Sequence, residues 1–179
     1  MGRCFVLFNI GEKVVYPNHG VATIEQITTR YMDGADNQFY HLRLSATNSV
    51  VMVPINNAKQ VGLRLPIAKN QCEQLWKLLS DNFSEPPADW KDRFKDFSDK
   101  MRTGDIFFVA EILKNLTYLS KAKPLSFREK RMLERAKFLV VSELAIVSVS
   151  SEKEVSDQVD NALNRACVKH ERKHMHAFA

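Results

Sequence analysis

Glycine and proline are scarce in this chain, six of each in 179 residues, and neither gathers into a flexible or extended linker. No glycine falls in a G-x-x-x-x-G-K arrangement, which excludes the phosphate-cradling loop of nucleotide hydrolases. Cys4, Cys72 and Cys167 are odd in number, far apart and without a CxxC pair. A disulfide framework is excluded on that basis, and reduced cytoplasmic thiols are expected. The five histidines, His19, His41, His170, His174 and His176, belong to no GxSxG, HExxH or Cys-His motif. No stretch approaches the roughly 20 apolar residues that cross a bilayer. The opening Met1-Gly2-Arg3-Cys4-Phe5-Val6-Leu7-Phe8 is too short and lacks the cleavage site of a signal peptide, and Val6 stands where a myristoylation motif requires Ser or Thr. These absences point to a cytoplasmic, non-enzymatic protein with no cofactor and no metal.

What is present is a change of character along the chain. Residues 13–16 and 21–27 are β-rich runs flanking the Pro17-Asn18-His19-Gly20 turn, with Gly11-Glu12 ahead of them. Asp33-Gly34-Ala35-Asp36-Asn37 reads as a second turn, and residues 39–44 and 50–54 as further strands. Pro54 cannot donate to a ladder, so it should end a strand or lie on an edge. Four or five short strands in so little chain predict a small SH3-like or Tudor-like β-barrel. Such a barrel is a recognition module more readily than a catalytic cleft.

From residue 63 onward the period is helical. Cys72, Leu75, Trp76, Leu78 and Leu79 predict a helix over 68–82, ended by Glu85-Pro86-Pro87-Ala88. Asp89 caps a second, striped by Trp90, Phe94, Phe97 and Met101. Thr103-Gly104-Asp105 separates it from a third over 106–119. Ser126 and Glu129 form a capping box for a fourth over 127–148, and a fifth runs over 151–169. The predicted architecture is α+β: a barrel over 9–62, a bundle of about five helices over 67–170, and a polar tail over 171–179.

Net charge is +5, and it is concentrated. Between Lys121 and Lys137, seven cations (Lys121, Lys123, Arg128, Lys130, Arg131, Arg135 and Lys137) face only Glu129 and Glu134. Such a patch favours an anionic partner, whether nucleic acid, an acidic protein or a membrane surface, or else forms a solvated helix face. Trp90 carries the same ambiguity. It begins an apolar stripe, as a core residue would. It also starts a helix among Lys91, Arg93 and Lys95, the combination that inserts into or stacks on nucleic acid while phosphates are neutralised. Near the end, Cys167, His170 and His174 have ligand-type side chains at i, i+3 and i+7, a spacing zinc would accept. A fourth ligand and a rigid support are wanting, so a polar tail is the plainer reading.

Several blocks then resemble one family in order: Gly11-Glu12-Lys13-Val14-Val15-Tyr16-Pro17-Asn18-His19-Gly20, Val53-Pro54-Ile55-Asn56-Asn57-Ala58 with Val61-Gly62, Trp90-Lys91-Asp92-Arg93-Phe94-Lys95, Gly104-Asp105, and Glu129-Lys130-Arg131-Met132-Leu133 with Ala136. They resemble the CarD family of bacterial RNA polymerase-binding transcription regulators. The first block also resembles the polymerase-interacting domain of the transcription-repair coupling factor. The resemblance implies a barrel that docks on the polymerase β subunit, with Arg30 and the strand Val51, Met52, Val53 and Pro54 at the contact. It implies a helical domain at the upstream edge of the transcription bubble, where Trp90 wedges into the minor groove and Arg93, Lys95 and Lys130 approach the backbone. Lys91 and Arg131 complete the cationic set read from the sequence. Met52 stands where some relatives carry an arginine, and Asp92 where some are basic. The function implied is stabilisation of the open promoter complex by a monomer that binds DNA without reading its sequence. The alternative is a protein-protein scaffold whose basic helix never touches DNA.

Overall fold

The computed structural model of the chain describes residues 8–32, 34–81 and 89–177. The bend expected at 85–88 lies outside these residues. Contacts divide the chain into two units, Met1–Pro66 and Ile67–Ala179.

The first unit is an antiparallel sheet in the order β1-β2-β3-β4, with β1 Lys13–Tyr16, β2 Gly20–Met32, β3 Ala35–Leu44 and β4 Val50–Pro54. A register shift between Ile24 and Gln26 bends β2. The curl turns Val14, Ala22, Ile24, Tyr40, Leu42 and Val53 into one core. Phe8 closes one end: its N–H donates to the Tyr40 hydroxyl at 3.0 Å, and the two rings meet edge to face at 5.8 Å. After a single 3-10 turn over Ile55–Asn57, the chain returns to β1, where Val15 and Arg64 exchange backbone hydrogen bonds of 2.7 and 3.2 Å. A bridge therefore does what a fifth strand would do, and the unit is a half-barrel.

Two strands are longer than their sequence pattern suggests. β2 and β3 stay paired out to Met32 and Ala35. Thr29, Arg30 and Tyr31 opposite Asp36, Asn37 and Gln38 are polar or exposed on both faces. The hairpin arm projects beyond the core, and no alternation marks it.

Return of the chain to β1 depends on Gly62. Its φ is +78°, and a Cβ there would meet Pro17 Cγ at 2.8 Å. Gly11 has a similar φ of +86° with nothing within 4 Å. Gly62→Ala is therefore expected to destabilise the β unit by about 1–3 kcal/mol, and Gly11→Ala by less, because only the backbone strain is shared. Hydrogen exchange of β1 amides would read both; equal effects would remove the role of the Pro17 contact.

The second unit holds α1 Lys69–Ser80, α2 Trp90–Thr103, α3 Ile106–Ala122, α4 Phe127–Ser148 and α5 Glu152–Ala177. The caps expected from sequence are in place. Asp89 accepts from the Lys91 and Asp92 amides at 2.7 and 3.2 Å, Gly104 ends α2 in the left-handed region, and Asp105 accepts from Phe107 N at 2.9 Å. Leu75, Leu79, Phe97, Met101, Leu113, Leu116, Val140 and Leu144 share one core with Val155, Val159 and Leu163. Glu143, fully buried in α4, accepts from Ile67 N at 2.9 Å and fixes the chain as it enters α1. Lys114 in α3 is also buried, donating to the Leu78 and Asp81 carbonyls at 2.6 and 3.3 Å, so a lysine of one helix caps the end of another. Its desolvation holds its pKa below the usual lysine value.

α5 continues to Ala177 rather than ending near Lys169. No glycine or proline follows Lys169 to stop it, and the apolar spacing that would mark its extension lapses there. Among the described residues no helix is long and apolar enough to cross a membrane.

Candidate functional site

In the half-barrel the two outer edges differ. β1 is partnered on its far side by Arg64, whereas β4 pairs only with β3 among the described residues. An unpaired edge offers a row of backbone donors and acceptors to an incoming strand. The ladder sets which side chains accompany it. Thr28, Phe39 and Pro54 form one row, and Arg30 with Asn37 lies two residues further along the hairpin, about 7 Å at strand spacing. Period-two alternation puts Arg30, Met52 and Pro54 on one face of the sheet, away from the Tyr40 and Leu42 side. Arg30 is exposed, Met52 and Pro54 half-buried, and neighbouring Tyr31 is 75% exposed.

Val51 and Val53 go the other way. Val53 is buried at 3%, and Val51 packs against the same core. Of the five residues expected at a polymerase contact, Val53 has its side chain buried, and that of Val51 is partly covered by the same core. The alternation of the strand is the reason.

A second surface forms where α2 and α4 begin. Arg93 is the residue that departs most from expectation. Flanked by lysines in the sequence, it reads as a phosphate contact, yet it is 2% exposed, and its Nη2 donates to Glu129 Oε1 at 2.7 Å. Being three residues after Trp90, it falls on the inward stripe with Phe97, while Lys91 and Lys95 fall outside it. Arg93 is thus a fastener between helices and cannot approach a phosphate in this fold. Glu129 serves twice. Its Oε2 accepts from the Ser126 amide at 2.9 Å and hydroxyl at 2.8 Å, completing the capping box of α4. Burial opposes ionisation of Glu129, but the hydrogen bonds from Arg93 and Ser126 outweigh it and hold its pKa below the usual carboxylate value.

This fastening joins the first turns of two helices. Arg128 lies over the Phe94 ring at 5.8 Å, a second link between α2 and α4. Lys91, Lys95, Lys130 and Arg131 are all exposed, as are Arg128 and Arg135. The basic segment as a whole does not form one patch: Lys137 pairs with Asp160 at 2.7 Å and Lys121 donates to Asn164 at 3.0 Å, both toward α5. Trp90 opens α2 as its first residue, and its side chain lies outside the described part of the structure. Asp92, exposed in the same turn, is the one carboxylate of the Trp90-Lys91-Asp92-Arg93-Phe94-Lys95 block.

The same surface contains two residues that the sequence reading leaves out of the site. Phe127 is 74% exposed, with the Arg131 guanidinium 5.7 Å from its ring centre. Arg128 is the other. The available signal was an apolar residue between the cap Ser126 and a run of cations, off the stripe of Ala136, Leu139 and Val140.

The remaining candidates settle elsewhere. Cys167 and His170 are buried at 1% and 6% on the inward side of α5, the His170 ring edge-on to Tyr118 at 4.9 Å. Burial raises the Cys167 thiol above its usual pKa, and no cluster of metal-ligating side chains occurs among the described residues. The side chain of His174 lies outside them. His19 stacks on Tyr16 at 4.6 Å and His41 shares a 2.8 Å hydrogen bond with Thr28, both in structural roles.

Comparison with known proteins follows the same division. Residues 8–66 match the CarD-like/TRCF RID domain model, and residues 74–160 match the model of the CarD C-terminal domain. A Bacillus subtilis (strain 168) protein described as "Putative transcription factor YdeB" is 31% identical over 149 residues, which span 83% of this chain and 97% of that protein.

Proposed function

The chain belongs to the CarD family and is a regulator of transcription, and from that premise we propose that it binds the β subunit of RNA polymerase through the half-barrel and stabilises the open promoter complex through the helical unit. The observation that carries the reading is the cationic surface at the first turns of α2 and α4, held by a buried ion pair and headed by Trp90. Phosphates neutralised by Lys91, Lys95, Lys130 and Arg131 would position the unit without reading bases. An aromatic at the start of α2 would favour unstacked DNA over straight duplex. A ligand shifts an equilibrium only by its differential affinity for the two states, so a preference of about 1.4 kcal/mol for the melted junction raises the open fraction roughly tenfold.

The open edge of β4, beside exposed Arg30 and Tyr31, supports the half-barrel as the polymerase-binding module. Attachment there would raise the local concentration of the helical unit at the promoter. No side chain is arranged to break or form bonds in this account; binding energy alone does the work. A monomer suffices.

The test is whether the purified chain retards a promoter fragment only in the presence of RNA polymerase. Arg30→Glu should weaken co-purification with polymerase about tenfold or more, because a like charge at a contact repels. Retention undiminished would reject the docking surface. Polymerase binding with no effect of the chain on promoter opening would favour a scaffold instead.

A further inference from the structure

Phe127 is an aromatic side chain that the fold leaves outside its core. It is the first residue of α4, 74% exposed, and about half a turn away from the inward-facing Ala136, Leu139 and Val140. A lone exposed aromatic is common on soluble proteins. This one has particular surroundings. The Arg131 guanidinium lies 5.7 Å from its ring centre, which attracts and orients the ring. The other exposed residues of 127–135 are Arg128, Lys130 and Arg135, with Glu134 the single exposed carboxylate.

The Arg93–Glu129 bond of 2.7 Å fixes its location relative to α2. Arg93 is three residues beyond Trp90, and Glu129 two residues beyond Phe127. The bond therefore ties together the two helix starts that carry the exposed ring and the indole.

We propose that Phe127 is a second aromatic contact for DNA, stacking on an unstacked base at the junction between duplex and melted strands, with Arg131 holding the ring in place. This rests on the DNA-binding reading above and extends it from one aromatic to two. The charge around the ring selects an anionic occupant. A flat apolar ring among cations suits a base and its phosphate better than an aliphatic side chain of a protein. The pairing would also explain how the unit distinguishes a fork from duplex: two rings need two displaced bases, which intact duplex does not offer.

Binding of the full-length chain to a short forked duplex and to its fully paired counterpart, followed by fluorescence anisotropy over a range of low salt concentrations, tests this. Phe127→Ala should weaken fork binding about fivefold or more while leaving the dependence of log K on log salt unchanged, because no charge is lost. Phe127→Tyr should retain wild-type affinity, and Lys130→Ala should lower the salt slope by about 1. Thermal melting of Phe127→Ala should match wild type, since the ring is outside the core. Wild-type fork affinity in Phe127→Ala, with Trp90→Ala and Lys130→Ala weakened, overturns the second contact and leaves the first reading intact. No salt-dependent fork binding by the wild-type chain removes both. Loss of polymerase binding by Phe127→Ala in the absence of DNA would make the ring a protein contact and overturn the proposal as well.

Discussion

Arg93→Met is expected to lower the stability of the helical unit by about 3 kcal/mol, the low end for stripping one partner from a buried ion pair. The low end applies because Glu129 keeps its two hydrogen bonds from Ser126 and some solvent. The converse change is harsher in kind. Glu129→Leu leaves the 2%-exposed guanidinium without its carboxylate and cannot be relieved by deprotonation, since arginine stays charged; it also removes the Glu129 half of the α4 capping box, while the Ser126 hydroxyl keeps its bond from the amide of residue 129. Arg93→Met with Glu129→Leu should be more stable than Glu129→Leu alone, because two packed apolar side chains replace a buried guanidinium that has lost its carboxylate. Both tryptophans, Trp76 and Trp90, belong to the helical unit, so their fluorescence reports its unfolding without interference from the half-barrel. Additive losses across the double-mutant cycle would show that Arg93 and Glu129 do not act as a pair.

The same pair fixes an acid limb. Glu129 titrates below the usual carboxylate pKa in the folded unit, so folding there favours the ionised form. Its contribution is complete above the ordinary value of about 4.5 and is lost as pH falls through the depressed one. Glu129→Gln should remove that part of the acid sensitivity while keeping an acceptor for Ser126. Glu25 also titrates low, through its hydrogen bond from Arg43, but it belongs to the half-barrel and is silent to tryptophan fluorescence.

How legible all this was depended on whether a residue's role is local. Asp89, Gly104, Asp105, Ser126 and Glu129 act on amides within four positions of themselves, and the sequence displays such partners side by side. The inner strands were also plain, because Ile24 and Leu42 stand between polar neighbours, Thr23 and Glu25 in one case and His41 and Arg43 in the other. The outer half of the β2–β3 hairpin was not, since a ladder in solvent needs no apolar face. Arg93 misled for the opposite reason: its lysine neighbours suggested a shared surface, while its partner lies 36 positions away in another helix. Only the stripe of Phe94 and Phe97 hinted that position 93 faces inward. Phe127 was passed over because apolar residues are sought where they pack, and it is 74% exposed.

Trp90→Ala should shorten the lifetime of the open promoter complex about tenfold, toward the low end of the range for removing one stacked aromatic from a base. The expectation is specific to opening. On the proposed docking through the half-barrel, co-purification with polymerase should be unchanged, and Trp90→Phe should recover much of the lifetime because a smaller ring still stacks. Lys95→Ala should behave differently, losing its effect as salt rises, whereas the Trp90 deficit should persist at every salt concentration. Position 90 shares its stripe with Phe94, Phe97 and Met101, so a purely structural indole would give the opposite pattern: a lower melting temperature with weakened opening only in proportion to the unfolded fraction. Trp76 stays in the chain as the reporter of that fraction. A fully folded Trp90→Ala protein that sustains wild-type opening would end the claim that this surface acts on melted DNA through its aromatic.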